Sequence, residues 1–101
     1  MLAEIKDEHD QMVVDMYLTI NDPDGWRFYW IGLTDIFQVN TWMWEPSSQP
    51  ATYFKWAKGE PNGAPDERFV HLVEKARERK WNDLQESGEP YQVYALCQKN
   101  I

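Results

Sequence analysis

The first part of the chain has apolar side chains at helical spacing. Between Ile5 and Ile20, apolar residues recur at intervals that place them on one side of a helix: Ile5, Met12, Val13, Met16 and Ile20. Acidic residues crowd the first turns, where they favour the positive end of the helix dipole. The segment 21–25 contains a proline and a glycine and is typical of a turn. The pattern therefore predicts an amphipathic helix over residues 5–20 that ends in a turn.

The later apolar clusters are short and rich in aromatic and β-branched residues, which is typical of strands. We predict strands at residues 28–34, 69–73 and 91–97, and a further strand that begins at or borders residues 80–82. Residues 35–65 are loop-rich and broken by prolines, and loops of that length are uncommon and usually functional. A helix followed by short strands and a long loop region predicts a single α+β domain.

Composition narrows the classes of function. The chain has 101 residues, 43% of them hydrophobic and six of them tryptophan, which is enough for one modest core and too apolar for disorder. A net charge of −7 disfavours nucleic-acid binding, because phosphate contacts need a surplus of Lys and Arg. No apolar run reaches the roughly 20 residues of a membrane span, and the first residues lack the pattern of a secretory signal. Cys97 is the only cysteine, which excludes a disulfide within the chain.

Two segments concentrate oxygen-bearing side chains close to a tryptophan. The first supplies Glu60, Asn62 and Glu67, and the second supplies Asn82 and Asp83. Calcium takes about six to eight oxygen ligands, from carboxylates and amide carbonyls among others. Either segment alone is equally well explained as an ordinary polar turn. The two together predict a calcium site with positions left for water or a ligand hydroxyl.

The order of motifs along the chain resembles the C-type lectin domain family. The motifs follow the family's order at compatible spacings: Leu2-Ala3-Glu4-Ile5, Trp30-Ile31-Gly32-Leu33, Trp42-x-Trp44, Trp56, Glu60-Pro61-Asn62, Trp81-Asn82-Asp83 and Cys97-Gln98-Lys99. The resemblance implies a doubly looped α+β domain whose long loop carries a calcium-dependent sugar site. It implies that the five residues of the two segments hold the metal and the sugar, with the backbone carbonyl of Asp83 as a further ligand. It also implies a cis Glu60–Pro61 peptide bond.

The Glu-Pro-Asn triplet carries a further implication of the resemblance, about the sugar. The family uses this triplet for mannose, glucose, N-acetylglucosamine and fucose, and a Gln-Pro-Asp triplet for galactose. On this pattern, Glu60 accepts a hydrogen bond from one sugar hydroxyl while the amide of Asn62 donates to it. Glu67 and Asn82 do the same for the neighbouring hydroxyl. Exchanging the acid and the amide reverses donor and acceptor, so a small site can discriminate between sugar epimers.

The chain also departs from the family pattern. By resemblance, residues 1–101 form a domain that begins where the family's first helix ends, without the first strand, the first helix and the cysteine expected to pair with Cys97. Phe69 and Glu86 stand where the cysteines of a second disulfide are expected, and loss of such a bridge typically costs about 2–5 kcal/mol. A second calcium site found in some relatives has lost its ligand types at three positions: Val39, Gly63 and Arg68. The resemblance therefore implies a single bound calcium ion.

Three functional interpretations are open from the sequence. No catalytic triad or acid–base pair is evident, so we predict a binding protein and not an enzyme. The first interpretation is calcium-dependent binding of glycans or glycoproteins by a secreted protein, with several copies supplying avidity. The second is a lectin-like module that binds a protein or another non-sugar ligand without calcium. The third is a fragment with no autonomous function.

Overall fold

The computed structural model describes residues 1–25, 27–62, 66–72, 79–85 and 92–101. Their elements, in chain order, are α1 (Glu8–Asn21), β1 (Phe28–Thr34), β2 (Met43–Trp44), β3 (Gln49–Pro50), β4 (Glu67–Leu72), β5 (Trp81–Gln85), β6 (Val93–Ala95) and a 3₁₀ turn at Gln98–Asn100. The strands form one sheet in the order β3-β2-β1-β4-β5, with β6 beside β1. Every pair is antiparallel except β1 and β6, which are parallel. These elements confirm the predicted α+β class.

The helix begins later than predicted because Asp7 caps it. Asp7 has extended backbone geometry, and its Oδ1 accepts a hydrogen bond of 2.8 Å from the backbone N–H of Asp10. This contact satisfies one of the amides that the first turn leaves without an intrahelical partner. Ile5, which was predicted to belong to the helix, precedes the cap and is fully buried in the core.

The prediction of which side of α1 is buried is wrong. The buried helix residues are Gln11, Val14 and Leu18. The predicted face is exposed at three positions, by 51%, 60% and 76% for Met12, Met16 and Ile20. Apolar side chains occur on both sides of this helix, so spacing alone could not orient it. Gln11 can occupy the buried face because its amide donates to the Arg79 carbonyl and accepts from the Trp81 indole N–H.

Each predicted strand is found, with differences at the ends. Residues 28–34 form β1 with the predicted bounds, residues 69–73 overlap β4, residues 80–82 overlap β5 and residues 91–97 contain β6. Val73 and Tyr91 lie outside the described residues. The prediction that residues 35–65 are loop-rich missed β2 and β3. These strands have two residues each, too few to show the alternation of apolar and polar residues that is typical of a strand.

Tryptophans dominate the core between α1 and the sheet. Trp44 and Trp81 are among the largest fully buried side chains, and their rings meet edge to face with centroids 5.8 Å apart. Trp56, from the long loop, packs against Trp81 in the same way at 5.9 Å. Val14 and Leu18 of α1 belong to the same cluster. The core therefore joins the helix, the long loop and the start of β5. Within the described residues, no helix has both the length and the apolar character needed to cross a membrane.

A buried ion pair fixes the chain just before β5. Arg79 is 2% exposed, and its Nη2 lies 3.0 Å from the Asp22 carboxylate at the end of α1. Its Nη1 donates to the Arg27 carbonyl, and its backbone N–H donates to the Asp15 carboxylate. The Gln11 amide donates to its carbonyl. The strand that follows is thus anchored to the helix at its first residues.

Replacing Arg79 by Met should destabilise the domain strongly, because the Asp22 carboxylate would lose its cation while remaining buried. Breaking a buried pair in this way typically costs about 3–5 kcal/mol of unfolding free energy. Urea unfolding followed by tryptophan fluorescence would measure the loss. Lys58→Met, which removes an exposed cation, is the matched control and should change stability by less than about 0.5 kcal/mol. Equal stabilities of the two variants would contradict the role of the pair.

The same pair has a pH signature. Burial alone would raise the pKa of Asp22, but the hydrogen bond and charge of Arg79 and the Arg27 backbone N–H outweigh it, so the pKa lies below its ordinary value. A carboxyl with a lowered pKa contributes stability above its unfolded pKa and loses it as the pH falls through its folded pKa. The stability of the wild type should therefore fall more steeply than that of Arg79→Met in the acid range below about pH 4.

Candidate functional site

The long loop reaches β5 through backbone pairing. The backbone N–H of Trp81 donates to the Lys55 carbonyl at 2.9 Å, and the Ala57 N–H donates to the Trp81 carbonyl at 2.8 Å. A turn follows, in which the Glu60 N–H donates to the Ala57 carbonyl. Gly59 has a φ of +82° in this turn, a left-handed conformation that glycine adopts without steric cost. The pairing therefore brings Glu60 close to the residues that follow Trp81.

Two neighbouring strands carry the other site residues. Asn82 and Asp83 follow Trp81 in β5, and Asp83 lies opposite Val70 of β4 with 1% of its surface exposed. Glu67 is the first residue of β4, and the register between the strands is irregular between Glu67 and Phe69. Such bulges change the direction of a side chain near a site. The sheet therefore presents Glu67 and Asp83 from adjacent strands.

Four of the five predicted site residues are in contact. The backbone N–H of Asn62 donates to both Glu60 Oε1 and Asp83 Oδ1, at 3.1 Å each. The carboxyl groups of Glu60 and Asp83 also interact directly, and a hydrogen bond can join them when one of the two is protonated. The side chain of Asn62 interacts with Glu67 and favours its ionised form. The fifth residue, Asn82, precedes Asp83 in the strand. The Glu60–Pro61 peptide bond is cis, which confirms that prediction, and Glu45–Pro46 is a second cis bond that the sequence did not indicate.

Crowded carboxylates perturb one another in this cluster. Burial and the neighbouring Asp83 carboxylate raise the pKa of Glu60 to about 7. Burial, followed by the charge of Asp83, also raises the pKa of Glu67. Both shifts mean that the cluster disfavours its own full ionisation. A cation among these oxygens would reverse the effect, because it favours the ionised form of each carboxyl.

Two oxygens of the cluster favour a metal ion. Glu67 Oε1 and Asn82 Oδ1 are buried and have no hydrogen-bond partner among the described residues. Buried polar atoms are nearly always paired, so such an atom points to an absent partner such as an ion or a water molecule. Both atoms are hydrogen-bond acceptors and both are of the kinds that calcium binds. The donor set therefore fits a hard divalent cation.

His71 of β4 is buried and contacts the backbone of the site residue Asn82, a contact that the sequence did not indicate. It is 1% exposed, and burial lowers its pKa to about 4, so the ring is neutral at neutral pH. Its Nδ1 lies 3.0 Å from the backbone carbonyl of Asn82, to which the neutral ring can donate a hydrogen bond. Only the pairing of β4 with β5, which sets these two residues opposite each other, could have identified the contact.

A second acidic group lies at the start of α1. Side chains of Asp7, His9 and Asp10 offer ligand atoms within 4.8 Å of one another. Asp7 is occupied in capping the helix, and Asp10 accepts a hydrogen bond from the Lys6 backbone N–H. Helix capping thus accounts for these two carboxylates.

Two of the positions at which the chain departs from the family pattern, Phe69 and Val39, have ordinary surroundings. Phe69, expected in place of a disulfide cysteine, packs its ring edge to face against Trp30 at 6.5 Å. Val39 is 58% exposed. Glu86 and Gly63 lie outside the described residues.

Comparison with known proteins identifies the family. The model of the lectin C-type domain matches residues 1–99. The chain belongs to the C-type lectin family. C-type lectins are non-enzymatic carbohydrate-binding proteins, which confirms the prediction of a binding protein. Domains of this family generally bind calcium.

Individual relatives support the same membership. The chain is 41% identical to C-type lectin BML-2 of Bungarus multicinctus over 71 residues, which are 68% of this chain and 42% of that protein. It is 42% identical to a C-type lectin mannose-binding isoform of Oxyuranus scutellatus over 55 residues, 54% of this chain and 34% of that protein. The chain thus spans less than half the length of either relative.

A solved structure supports the fold. The mouse scavenger receptor C-type lectin carbohydrate-recognition domain aligns with a TM-score of 0.67 at 31% identity. The alignment covers 83% of this chain and 59% of that domain. The predicted C-type lectin-like fold is therefore confirmed.

Proposed function

We propose that this lectin domain binds one calcium ion and, through it, glycans. The ligands are Glu60, Asn62, Glu67, Asn82 and Asp83, with the backbone carbonyl of Asp83 as a further ligand. The observation that carries the proposal is a pair of buried acceptor oxygens on Glu67 and Asn82, which have no hydrogen-bond partner in the part of the chain that the structure describes and lie beside carboxylates that raise one another's pKa. The general calcium binding of the family supports the same metal.

The chemistry of sugar recognition follows from the types of side chain present. When bound, calcium supplies open coordination positions for two vicinal hydroxyls of a sugar. Glu60 accepts a hydrogen bond from one hydroxyl and the Asn62 amide donates to it. Glu67 and Asn82 play the same two parts for the other hydroxyl. Acid and amide side chains thus recognise the orientation of each hydroxyl and not merely its presence.

The order Glu-Pro-Asn supports sugars of the mannose type, which include fucose, glucose and N-acetylglucosamine, over galactose. One relative carries the words mannose-binding in its name, which supports the same class. A single exposed site of this kind gives millimolar affinity, about −4 kcal/mol. We therefore propose that the protein acts outside the cell on glycoproteins, in an assembly of several copies that supplies avidity.

Elution from a mannose matrix tests the proposal. The protein should be retained in the presence of calcium and released by free mannose, fucose or N-acetylglucosamine, or by a chelator. Free galactose at the same concentration should leave it bound, because its hydroxyl orientation does not match the donors and acceptors. Release by galactose at lower concentration than by mannose would contradict the assignment of sugar class.

Calcium uptake should also release protons near neutral pH. The raised pKa of Glu60, about 7, means that the metal-free fold is favoured by its protonation. That contribution is present below the ordinary value of 4.5 and is lost as the pH rises through about 7. Calcium needs the ionised carboxylate, so its affinity should rise with pH over the same range. Calorimetry in buffers of different ionisation enthalpy measures the released protons, and Glu60→Gln should release fewer.

A second candidate is a lectin-like module that binds a protein without calcium. One observation favours it, namely three exposed apolar side chains in the loop after β1. Ile36, Phe37 and Val39 are 53%, 74% and 58% exposed. A partner that is captured equally well with calcium and with chelator, and is lost in Phe37→Ser, would support this candidate over the first.

A further inference from the structure

A buried ion pair lies immediately beside the calcium ligand Glu67. Asp35, which follows β1, is 1% exposed, and its Oδ2 lies 3.6 Å from Nη1 of Arg68, whose side chain is 20% exposed. The same oxygen accepts a hydrogen bond of 2.8 Å from the Asn40 backbone N–H. The other oxygen, Oδ1, is buried and has no hydrogen-bond partner among the described residues. Nη1 of Arg68 is also buried without a hydrogen-bond partner among the described residues. Arg68 therefore supplies a positive charge, and not a hydrogen bond from Nη1, to a carboxylate that is almost completely removed from water.

The backbone of Arg68 is held at the same corner of the sheet. Its carbonyl accepts hydrogen bonds from the Thr34 hydroxyl at 2.6 Å and from the Asp35 backbone N–H at 3.3 Å. Arg68 occupies the irregular step of β4 between Glu67 and Phe69. Side chain and main chain of one residue thus tie this bulge to the end of β1. The preceding residue is Glu67, so the tie holds the backbone next to the residue that carries that carboxylate.

We propose that Arg68 is a positioning residue of the calcium site and that its guanidinium is a cation built into the chain. It balances Asp35 without a metal ion, fixes the bulge and so orients Glu67 towards calcium. Burying a carboxylate is unfavourable unless it is paired, and a covalently attached cation is always present. The inference rests on the proposed function, because it concerns how one calcium ligand is held. It also explains how the domain can order this corner while taking up a single metal ion.

Two substitutions of Arg68 distinguish the effect of its positive charge from the effect of its size. Arg68→Met keeps the apolar stem and removes the charge, and Arg68→Lys keeps the charge. Arg68→Met should weaken calcium binding, measured by calorimetry, by about tenfold, the size seen when groups that orient metal ligands are removed. Arg68→Lys should stay within about threefold of the wild type. Wild-type affinity in Arg68→Met, or an equal loss in Arg68→Lys, would overturn the inference.

A double-mutant cycle tests whether the two charges act together. Asp35→Asn should weaken calcium binding to a similar extent, and Asp35→Asn with Arg68→Met should lose no more than either single variant. Additive losses would overturn the inference, because they would mean that the residues act separately. Should Arg68→Met fail to fold, Asp35→Asn and Arg68→Lys provide the same comparison with the wild type.

Hydrogen exchange without calcium provides a readout that does not depend on metal binding. The backbone amides of residues 67–69 should exchange several-fold faster in Arg68→Met than in the wild type and in Arg68→Lys. Equal exchange in all three proteins would overturn the inference. If the wild type takes up no calcium, the proposed function fails. Exchange then still decides whether the ion pair holds the bulge.

Discussion

Replacing Asp83 by Ala should abolish calcium binding and sugar binding together. Asp83 is 1% exposed and contacts both Glu60 and the Asn62 backbone, so its carboxylate lies at the centre of the proposed ligand set. Loss of a direct ligand should weaken calcium binding by more than about 100-fold, since even groups that only orient ligands are worth about 10–100-fold. Calorimetry with calcium, and retention on a mannose matrix, would measure the two losses.

Two further variants make the Asp83 result specific. Asp24→Ala removes an exposed carboxylate in the turn after α1, away from the site, and should bind calcium as the wild type does. Asn82→Ala should lose calcium binding as Asp83→Ala does, although it removes an amide oxygen and leaves the net charge unchanged. Without calcium, Asp83→Ala and Asn82→Ala should each unfold within a few degrees of the wild type. Such a result would exclude global unfolding as the cause of their lost calcium binding. Unchanged calcium affinity in Asp83→Ala would refute the ligand assignment.

Converting Glu60 to Gln together with Asn62 to Asp should shift sugar preference from mannose towards galactose. The exchange keeps the number of carboxylates and carboxamides but reverses which group accepts and which donates. A hydroxyl left facing the wrong group costs about 1–3 kcal/mol, so the ratio of mannose to galactose affinity should fall by about tenfold or more. Competition by the two free sugars for one immobilised glycan would give that ratio.

The matched control exchanges the same types of side chain away from the site. Asp24→Asn with Gln38→Glu alters two exposed positions without changing the net charge, and it should leave the sugar ratio unchanged. Equal calcium affinity in the wild type and the converted protein would show that the metal is still held. An unchanged ratio in a converted protein that still binds calcium would contradict the proposed roles of Glu60 and Asn62.

The sequence predicted the parts of this structure that depend on short segments. The bounds of β1 followed from a continuous run of aromatic and apolar residues, and the two oxygen-rich segments followed from residue type and spacing. The contacts among Glu60, Asn62, Glu67 and Asp83 agree with the prediction that the segments meet. Each of these features depends either on residues adjacent in the chain or on the order of motifs along it.

The parts that could not be predicted depend on pairings between distant residues. Gln11 is buried because Trp81 and Arg79, about 70 positions away, satisfy its amide. His71 contacts Asn82 because of strand register, and Arg68 reaches Asp35 across the sheet. No local pattern of hydrophobicity distinguishes these polar residues from exposed ones. Their roles emerge only when the partner is in place.

Trp81 links the proposed recognition function to the folding of the core. The backbone of Trp81 forms hydrogen bonds with Lys55 and Ala57 of the long loop, and its indole N–H donates to Gln11 of the helix. Trp81 also immediately precedes Asn82. A substitution that loosens the core around this indole should displace the proposed ligands Asn82 and Asp83, although it changes neither of them. A library screened only for loss of sugar binding should therefore recover many substitutions in the helix and the core. Separating them from true site substitutions requires a stability measurement on every hit.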